Sequence, residues 1–203
     1  MRSKQPTAGI ILAAGMSKRF GSPKLLVKIK GRTLIERIVD TSLESKLEHI
    51  ILVLGHAYAQ TIQTLAYRRE NPRLQIVENA DYRNGMSRSL HLGLKSVQDH
   101  YPSVMFLLAD QPMLGSEMID RLLETFWASD KDICVPVCER QKGNPTLFSS
   151  RFYKQILKVT GDKGAREIIR NNPDSICQVA VDDPSLFFDI DTPTDLDKIN
   201  NHL

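Results

Sequence analysis

Strand-like and helix-like segments alternate along most of the sequence, and this alternation constrains the fold more than any other feature. Three continuous apolar runs, Ala8–Ala13, His49–Leu54 and Ser103–Leu108, are typical of strands buried on both faces of a parallel sheet. Between them, apolar residues recur at helical spacing, as in Thr33–Leu43. The alternation predicts an α/β fold: one Rossmann-like, three-layer α/β/α domain over residues 1–203, with a mostly parallel sheet.

The rest of the chain continues this pattern with shorter segments. Further strands are predicted at Leu74–Val77, Asp132–Val137, Thr146–Phe148 and Ser175–Val181. Further helices are predicted at Ala57–Arg69, Ser87–Val97, Ser116–Phe126, Arg151–Val159, Lys163–Asn171 and Thr192–Asn200. Ser116 is expected to be an N-cap, and Pro136 is expected to mark an edge strand or a bulge.

The predicted sheet also indicates where a ligand would bind. In open α/β sheets, ligands lie beyond the carboxyl ends of the parallel strands. The loops that start at Ala14, Asn79 and Ala109 all follow such ends. We therefore expect these three loops to converge on one site.

Composition narrows the class of partner and the compartment. The 203-residue chain has a formal net charge of +3 and no block of basic residues, so nucleic acid is not an expected partner. The segment Met1–Thr7 is polar, and the apolar run after it is too short for a signal peptide or a membrane span. Three cysteines without disulfide-framework spacing favour a reducing, cytoplasmic location. We expect Cys134 and Cys138 to be small buried side chains, because no metal-binding partner set accompanies them.

A glycine-containing loop, LAAGMSKRFGSPK (residues 12–24), follows the first strand directly. Its small residues let the backbone approach an anion, and its hydroxyl and basic side chains add donors. Its spacing excludes both the dinucleotide pattern GxGxxG and the phosphate-loop pattern GxxxxGK[ST]. The spacing alone is equally consistent with a phosphate-binding loop and with a turn that carries solvated cations.

The loop resembles the LAAGxSxRMGxxK signature of the nucleotidyltransferases related to molybdenum cofactor biosynthesis, with Phe20 where Met is commoner. That family is part of a wider group that includes sugar-phosphate nucleotidyltransferases, so the resemblance implies a nucleotide-diphospho-sugar transferase-like fold. It also implies that the loop wraps the phosphates of an NTP, while Arg19 and Lys24 neutralise the departing pyrophosphate. The nucleotide-binding residues implied in this loop are Leu12, Ala13, Ala14, Gly15, Ser17, Arg19 and Lys24.

A second loop, NADYRNGMSRSL (residues 79–90), opens a predicted helix. The free backbone N–H groups of a first helical turn can bind a ligand, although a simply capped helix fits the same sequence. The segment resembles the family's NPxWxxGMSxSL stretch, with Tyr82 in place of another aromatic residue. The resemblance implies contacts to the nucleobase and ribose from Gly85, Met86, Ser87 and Ser89.

Two acidic motifs are candidate metal ligands. Asp110 ends a buried strand in the sequence ADQP, where it either binds a cation or caps the following turn. Asp189 and Asp191 lie in DIDTPTDL (residues 189–196), before a helix with Thr192 expected as N-cap and Pro193 at its first position. Asp191 could instead favour the helix N-terminus electrostatically. Both motifs match family patterns, which implies that Asp110 and Asp191 hold Mg²⁺, with Mn²⁺ as a second possibility.

Two further segments are candidates for the acceptor side. QKGNPTLF (residues 141–148) resembles the family's RGHPVLF loop, with Asn144 in place of His and Lys142 in place of Arg. GDKGAR (residues 161–166) matches the family's GDxGAR segment. A polar turn and a capped helix are the alternative interpretations. The resemblance implies acceptor contacts from Gly143, Asn144 and Arg166.

Together the motifs predict Mg²⁺-dependent transfer of CMP from CTP to molybdopterin, with Lys24, Arg19 and Asp110 as catalytic residues. CTP is favoured over GTP because guanylyl relatives usually carry LAGG where this chain has LAAG (residues 12–15). The enzymatic alternatives are GTP as donor and a sugar or polyol phosphate as acceptor. A non-catalytic carrier that delivers the cofactor to a xanthine-dehydrogenase-type apoenzyme is a further alternative, as is an oxidoreductase. The absence of a dinucleotide fingerprint argues against the oxidoreductase.

Overall fold

The computed structural model describes residues 4–162 and 164–202, with side chains described as far as residue 199. Lys163, where the sequence places the start of a helix, lies outside these ranges, as do the two ends of the predicted domain. The described residues fold around one large, mostly parallel sheet.

Eight strands form this sheet, in the order β10-β7-β9-β6-β1-β4-β5, with β8 paired to β7. All neighbours are parallel except β9, which runs antiparallel to β6 and β7, and β8, which runs antiparallel to β7. A separate antiparallel hairpin joins β2 and β3. The strands are Thr7–Ala13 (β1), Lys28–Ile29 (β2), Arg32–Thr33 (β3), His49–Leu54 (β4), Leu74–Glu78 (β5), Ser103–Leu108 (β6), Ile133–Cys138 (β7), Gln141–Lys142 (β8), Thr146–Ser149 (β9) and Ile176–Ala180 (β10).

Helices cover both faces of the sheet, because alternate residues of each central strand point to opposite sides. Along β1, Ala8 and Ile10 belong to one apolar cluster, and Ile11 and Ala13 belong to the other. Helices α1, α2, α4 and α7 contribute to the second cluster, whereas α3, α5 and α6 contribute to the first. The helices are Leu34–Glu44 (α1), Tyr58–Leu65 (α2), Met86–Lys95 (α3), Ser116–Ala128 (α4), Tyr153–Ile156 (α5), Arg166–Asn171 (α6) and Pro193–His202 (α7).

The predicted three-layer α/β fold with a mostly parallel sheet is confirmed. The strands His49–Leu54 and Ser103–Leu108 have the predicted bounds, because each coincides with a continuous apolar run. The predicted helix Ala57–Arg69 is α-helical as far as Leu65, and the chain then continues as a 3₁₀ helix. The helix predicted from Lys163 begins at Arg166 within the described residues.

One local prediction is wrong, and so is one of the two alternatives predicted for Pro136. Gly115 is the N-cap of α4, so Ser116 is already the first helical residue; the extended backbone that a cap requires occurs one residue earlier. Pro136 is not on an edge strand, because β7 lies between β10 and β9. The β7–β9 ladder ends at Cys134 and the β7–β8 ladder starts at Val137. Pro136 pairs with Val179 of β10 but lies between the two ladders on the other side of β7, where its missing N–H group breaks no bond.

None of the helices within residues 4–162 and 164–202 is long and apolar enough to cross a membrane. The three cysteines are unbridged, and Cys134 and Cys138 are buried as expected.

Candidate active site

The loop after β1 brings Lys24 to the carboxyl ends of the central strands. The Lys24 ammonium donates to Asp110 Oδ2 at 2.7 Å, to the backbone oxygen of Ile190 at 2.8 Å and to Asp191 Oδ1 at 3.3 Å. The Lys24 side chain is 13% exposed, so these ion pairs lie in a partly dry environment where charge interactions are strong. Arg19 adds a second cation, with its guanidinium 2.9 Å from Asp191 Oδ2. Two cations and two carboxylates from three distant segments therefore meet at one point.

The acidic segment before α7 is fixed from both sides. The Ile190 N–H group donates to the backbone oxygen of Asp110 at 3.0 Å, which ties this segment to the end of β6. On the other side, the carboxylate of Asp195 accepts from the N–H groups of Asp191 and Thr192 and from the Thr192 hydroxyl. These hydrogen bonds lower the pKa of Asp195 to about 2. Pro193 is the first residue of α7, as predicted.

The charged centre lines one of two adjoining cavities. The first, which we call the loop cavity, has a volume of about 540 Å³ and is bounded by the loop after β1 and by the segment before α3. The second, which we call the hairpin cavity, has a volume of about 590 Å³ and is bounded by the β7–β8 hairpin and by α6. They share six lining residues: Leu12, Met86, Leu108, Asp162, Arg166 and Asp189.

The structure brings most of the sequence-predicted residues to these two cavities. The hairpin cavity is lined by all three residues predicted on the acceptor side, which are Gly143, Asn144 and Arg166. The loop cavity is lined by the following predicted nucleotide and metal residues: Leu12, Ala13, Ala14, Gly15, Ser17, Arg19, Lys24, Gly85, Met86, Ser89, Asp110 and Asp191. The loops after β1, β5 and β6 therefore converge on one site.

The segment before α3 differs from expectation in two respects. Ser87 is buried and lines neither cavity, whereas Ser89 lines the loop cavity and its hydroxyl accepts from Asn79 Nδ2 at 3.0 Å. The first N–H groups of α3, expected to be free for a ligand, are already bonded. Met86 N donates to Asp162 Oδ1 at 2.9 Å, and Ser87 N donates to the backbone oxygen of Gly161 at 3.0 Å. A distant segment caps this helix because its own N-cap, Gly85, has no side chain.

Asp189 lies on the wall common to both cavities, beside Gln111. The Gln111 amide donates to Asp189 Oδ1 at 2.9 Å, and its own oxygen, Gln111 Oε1, is buried without a partner among the described residues. Burial, followed by the nearby charge of Asp110, raises the pKa of Asp189 to about 6. A carboxyl group with a raised pKa therefore lies on the wall that the two cavities share.

The carboxylates of this site suit a hard divalent cation. Asp110 and Asp191 approach the same Lys24 ammonium, so their oxygens already face one positive charge between them. Mg²⁺ takes one or two carboxylates, and phosphate oxygens and waters complete its shell. Across residues 4–162 and 164–202, no group of three or more His, Cys, Asp and Glu side chains is placed to hold a metal ion. A cation held by Asp110 and Asp191 would therefore take its remaining ligands from waters or from a bound nucleotide.

Several lining residues were not predicted from the sequence. Phe106 and Leu108 lie two residues apart at the carboxyl end of β6, so the strand period predicts that they share a face. Arg170 follows Arg166 by one helical turn, so the helical period could have identified it. Phe187 belongs to an irregular 3₁₀ segment, Pro184–Phe187, that carries no such signal.

Fold and site together define the class of this protein: it is a nucleotidyltransferase of the nucleotide-diphospho-sugar transferase fold. The model of the MobA-like NTP transferase domain matches residues 9–176, which include Lys24 and Asp110 but end before Asp191. The chain belongs to this family.

Curated relatives with different names cover almost the whole chain. Nicotine blue oxidoreductase of Paenarthrobacter nicotinovorans is 30% identical over 91% of this chain and 91% of its own length. A probable molybdenum cofactor guanylyltransferase of Thermococcus sibiricus is 25% identical over 96% of this chain and 98% of its own length. Purine catabolism protein PucB of Bacillus subtilis is 26% identical over 94% of each chain. The sequence family thus includes proteins with more than one named activity.

Solved structures show the same fold. The crystal structure of Rv0371c from Mycobacterium tuberculosis H37Rv superposes with a TM-score of 0.83 at 24% identity, covering 98% of this chain and 100% of that one. A complex of the same protein with manganese has a TM-score of 0.80 at 24% identity, with the same coverage.

Proposed function

We propose that this protein transfers a nucleoside monophosphate from an NTP, with CTP as the expected donor, to the phosphate of molybdopterin. The observation that carries this proposal is the position of Lys24, bonded to Asp110 and Asp191 in the loop cavity, whose wall continues through Asp189 into the hairpin cavity. An NTP in the loop cavity would present its α-phosphate to an acceptor in the hairpin cavity. The names of two relatives as probable molybdenum cofactor guanylyltransferases support molybdopterin as the acceptor.

The reaction follows from this arrangement of cavities. A phosphate oxygen of the acceptor attacks the α-phosphorus in line, a new P–O bond forms, and the bond between the α-phosphorus and its bridging oxygen breaks. Pyrophosphate leaves with the electron pair of that bond. Lys24 and Arg19 stabilise the charge that develops on the leaving group, and the small residues after β1 let backbone N–H groups approach it. Positioning and electrostatics supply most of the acceleration, since phosphoryl-type transfer needs little covalent chemistry from the protein.

The residues at this point also fit a divalent cation, for which Mg²⁺ is our proposal and Mn²⁺ the second candidate. Asp110 and Asp191 would hold the ion, which when bound neutralises phosphate oxygens of the nucleotide. The carboxylates face the Lys24 ammonium in the structure, so the ion and the ammonium would share the same two anionic groups. The manganese complex of Rv0371c supports a cation in this fold.

GTP is the second candidate donor, because the relatives named for molybdenum cofactor chemistry are named guanylyltransferases. The sequence LAAG in the first loop supports CTP instead. A carrier that delivers the cofactor to a xanthine-dehydrogenase-type apoenzyme would bind the pterin without needing Lys24, Asp110 and Asp191 together. Retention of all three supports catalysis.

The test is pyrophosphate release from CTP, GTP, UTP and ATP in turn, with Mg²⁺ or Mn²⁺, in the presence and absence of molybdopterin. We expect release from CTP that depends on the acceptor and is lost in Asp110→Ala. Asp120→Ala is the matched control, because Asp120 also accepts a hydrogen bond but lies on α4 outside both cavities. Release from GTP alone would replace the donor and keep the reaction. Pterin binding without release from any NTP would contradict the enzyme and leave the carrier, and the absence of both would redirect the search to sugar and polyol phosphates.

A further inference from the structure

Two chain segments from opposite sides of the site are joined at the start of α3. Helix α3 has no side-chain cap of its own, because its N-cap is Gly85. The carboxylate of Asp162 takes this role from 76 residues away and accepts from Met86 N at 2.9 Å. The backbone oxygen of Gly161 accepts from Ser87 N at 3.0 Å. Both bonds cross from the segment before α6 to the segment before α3.

The packing between these segments is as close as their backbones allow. Gly85 has φ +98°, and a Cβ atom added to it would lie 2.8 Å from the carbonyl carbon of Gly161 and 2.9 Å from Asp162 Oδ1. A Cβ atom added to Gly164 would lie 3.3 Å from Met86 Sδ. Only a residue without a side chain fits Gly85, since it combines this φ with that distance. The junction is therefore built for direct backbone contact.

The joined segments form part of the wall between the two cavities. Met86, Asp162 and Arg166 each line both the loop cavity and the hairpin cavity. Arg166 begins α6 four residues after Asp162, and among the described residues no carboxylate lies within ion-pair distance of its guanidinium. A movement of the Asp162 segment would therefore displace Met86 on one side and Arg166 on the other.

We propose that Asp162 is a positioning residue that couples the two cavities, so that a nucleotide in the loop cavity strengthens acceptor binding in the hairpin cavity and the reverse. This inference rests on the proposed function, because it assigns one substrate to each cavity. The coupling is reciprocal, since each ligand must change the affinity for the other by the same factor. Asp162 does not contact the reacting atoms; it holds the segments that carry Met86 and Arg166 in position.

The charge of Asp162 gives rise to an alternative interpretation, which predicts the opposite change in nucleotide affinity when the carboxylate is removed. The N-terminus of a helix carries a partial positive charge that favours anions. If Asp162 only occupied a place that a nucleotide phosphate needs, removal of its carboxylate would tighten nucleotide binding. If Asp162 couples the cavities, the same change weakens nucleotide binding.

The experiment compares Asp162→Ala with Asp162→Asn by calorimetry, using non-hydrolysable α,β-methylene analogues of CTP and GTP with and without molybdopterin. Asn keeps an oxygen that accepts from Met86 N but removes the charge, so it separates the hydrogen bond from the electrostatics. We expect Asp162→Ala to weaken binding of the preferred analogue by at most roughly 5- to 30-fold, which is the factor reached if the whole free energy of a lost helix cap is taken from binding. Asp162→Asn should remain within about 3-fold of wild type, because its cap is retained.

The coupling itself is the ratio of the analogue's Kd without molybdopterin to its Kd with molybdopterin. This ratio should exceed one in wild type and Asp162→Asn, and should fall towards one in Asp162→Ala. Asp120→Ala is the matched control, because Asp120 also accepts from a backbone N–H group, that of Lys46 at 2.7 Å, but lies on α4 and lines neither cavity. We expect Asp120→Ala to keep the wild-type ratio.

Hydrogen exchange at the Met86 and Ser87 amides gives a readout that needs no ligand. Protection should be lost in Asp162→Ala and kept in Asp162→Asn, with the rest of the sheet unchanged. Tighter nucleotide binding in Asp162→Ala, or an unchanged ratio despite lost protection, would overturn the proposal. Wild-type protein that binds neither analogue would instead overturn the proposed function, and that failure appears before any variant is compared.

Discussion

The loop cavity and the hairpin cavity differ in what holds their walls. The loop cavity lies at the carboxyl ends of parallel strands, and its charged centre is bonded from β6, from the first loop and from the segment before α7. The hairpin cavity is bounded by β8, which has two residues, and by the short helix α6 and the 3₁₀ segment Pro184–Phe187. Both cavities are also lined by the central strands, through Leu12 of β1 and Leu108 of β6, but the outer wall of the hairpin cavity is built from these short elements.

Two glycines show the same contrast at atomic scale. A Cβ atom added to Gly55, directly after β4, would lie 2.6 Å from Tyr82 Cβ and 2.8 Å from Ala14 Cβ. A Cβ atom added to Gly143 would lie 2.4 Å from the ring of Phe187. A Cβ atom moves only with its backbone, but a ring can turn about its side-chain bonds. We therefore expect the wall of the loop cavity beside Gly55 to be more rigid than the wall of the hairpin cavity beside Gly143.

Lys24→Ala should give the largest effect, because it removes the one cation that bridges Asp110 and Asp191. We expect the turnover number for pyrophosphate release to fall roughly 10²- to 10³-fold, as for loss of a preorganised charge stabiliser. Lys28→Ala is the control, since Lys28 is an exposed lysine on β2 close in sequence and lines neither cavity. A loss below tenfold would mean that the proposed charged centre is not where the reaction occurs.

Gly55→Ala should be the next largest change, because two Cβ atoms cannot move away without backbone shifts in the loop cavity. We expect a loss of about 3 kcal/mol in the free energy of unfolding, the upper part of the usual range for overpacking. Urea denaturation measures this loss, and the KM for the NTP should rise in the surviving folded protein. Gly15→Ala, whose Cβ atom meets nothing within 4 Å, is the steric control for the stability measurement alone, because Gly15 lines the loop cavity. Equal stability of Gly55→Ala and wild type would contradict a rigid wall.

Gly143→Ala tests the other half of the comparison. Phe187 must leave its present rotamer to admit the new methyl group, which costs about 1 kcal/mol. We expect a small loss of stability by urea denaturation and a rise of roughly 5-fold in the KM for the acceptor, with the KM for the NTP unchanged. A destabilisation equal to that of Gly55→Ala would show that the hairpin cavity is as rigid as the loop cavity, and the contrast between them would fail.

The same division explains how much could be predicted from the sequence. The long apolar strands, and therefore the convergence of the loops after Ala13, Glu78 and Leu108, follow from hydrophobic pattern alone. The hairpin cavity depends on strands of two to four residues and on irregular segments, whose local pattern is too short to specify their partners. β8 and Phe187 were missed for this reason.

The cap of α3 could not be predicted for a different reason. Asp162 and Gly161 lie more than 70 residues from the N–H groups they bond, and no local signal connects the two segments. A sequence pattern identifies a helix start that lacks its own cap, as at Gly85, but it does not identify the distant group that replaces it. Long-range polar contacts of this kind require the fold.

Asp189→Asn should give the smallest change in the free energy of unfolding, and its pH dependence tests the environment of the wall between the cavities. Its folded pKa of about 6 exceeds the unfolded value of about 3.9, so the folded state binds the proton more tightly. The wild-type free energy of unfolding should therefore fall as pH rises from about 4 to about 6, and stay lowered above that range. Asn carries no charge at any pH and can still accept from Gln111. Because Asp189 is partly exposed, we expect the variant to gain only about 1 kcal/mol on wild type between pH 4 and pH 8.

Urea denaturation at several pH values, in EDTA to exclude metal ions, measures this gain. Asp120→Asn is the matched control, since Asp120 also accepts a hydrogen bond but lies on α4 outside both cavities. Parallel curves for wild type and Asp189→Asn would mean that water reaches the Asp189 carboxyl freely. The wall between the two cavities would then be open to solvent. The partly dry environment would be limited to the surroundings of Lys24, and the difference between the two cavities would not extend to Asp189.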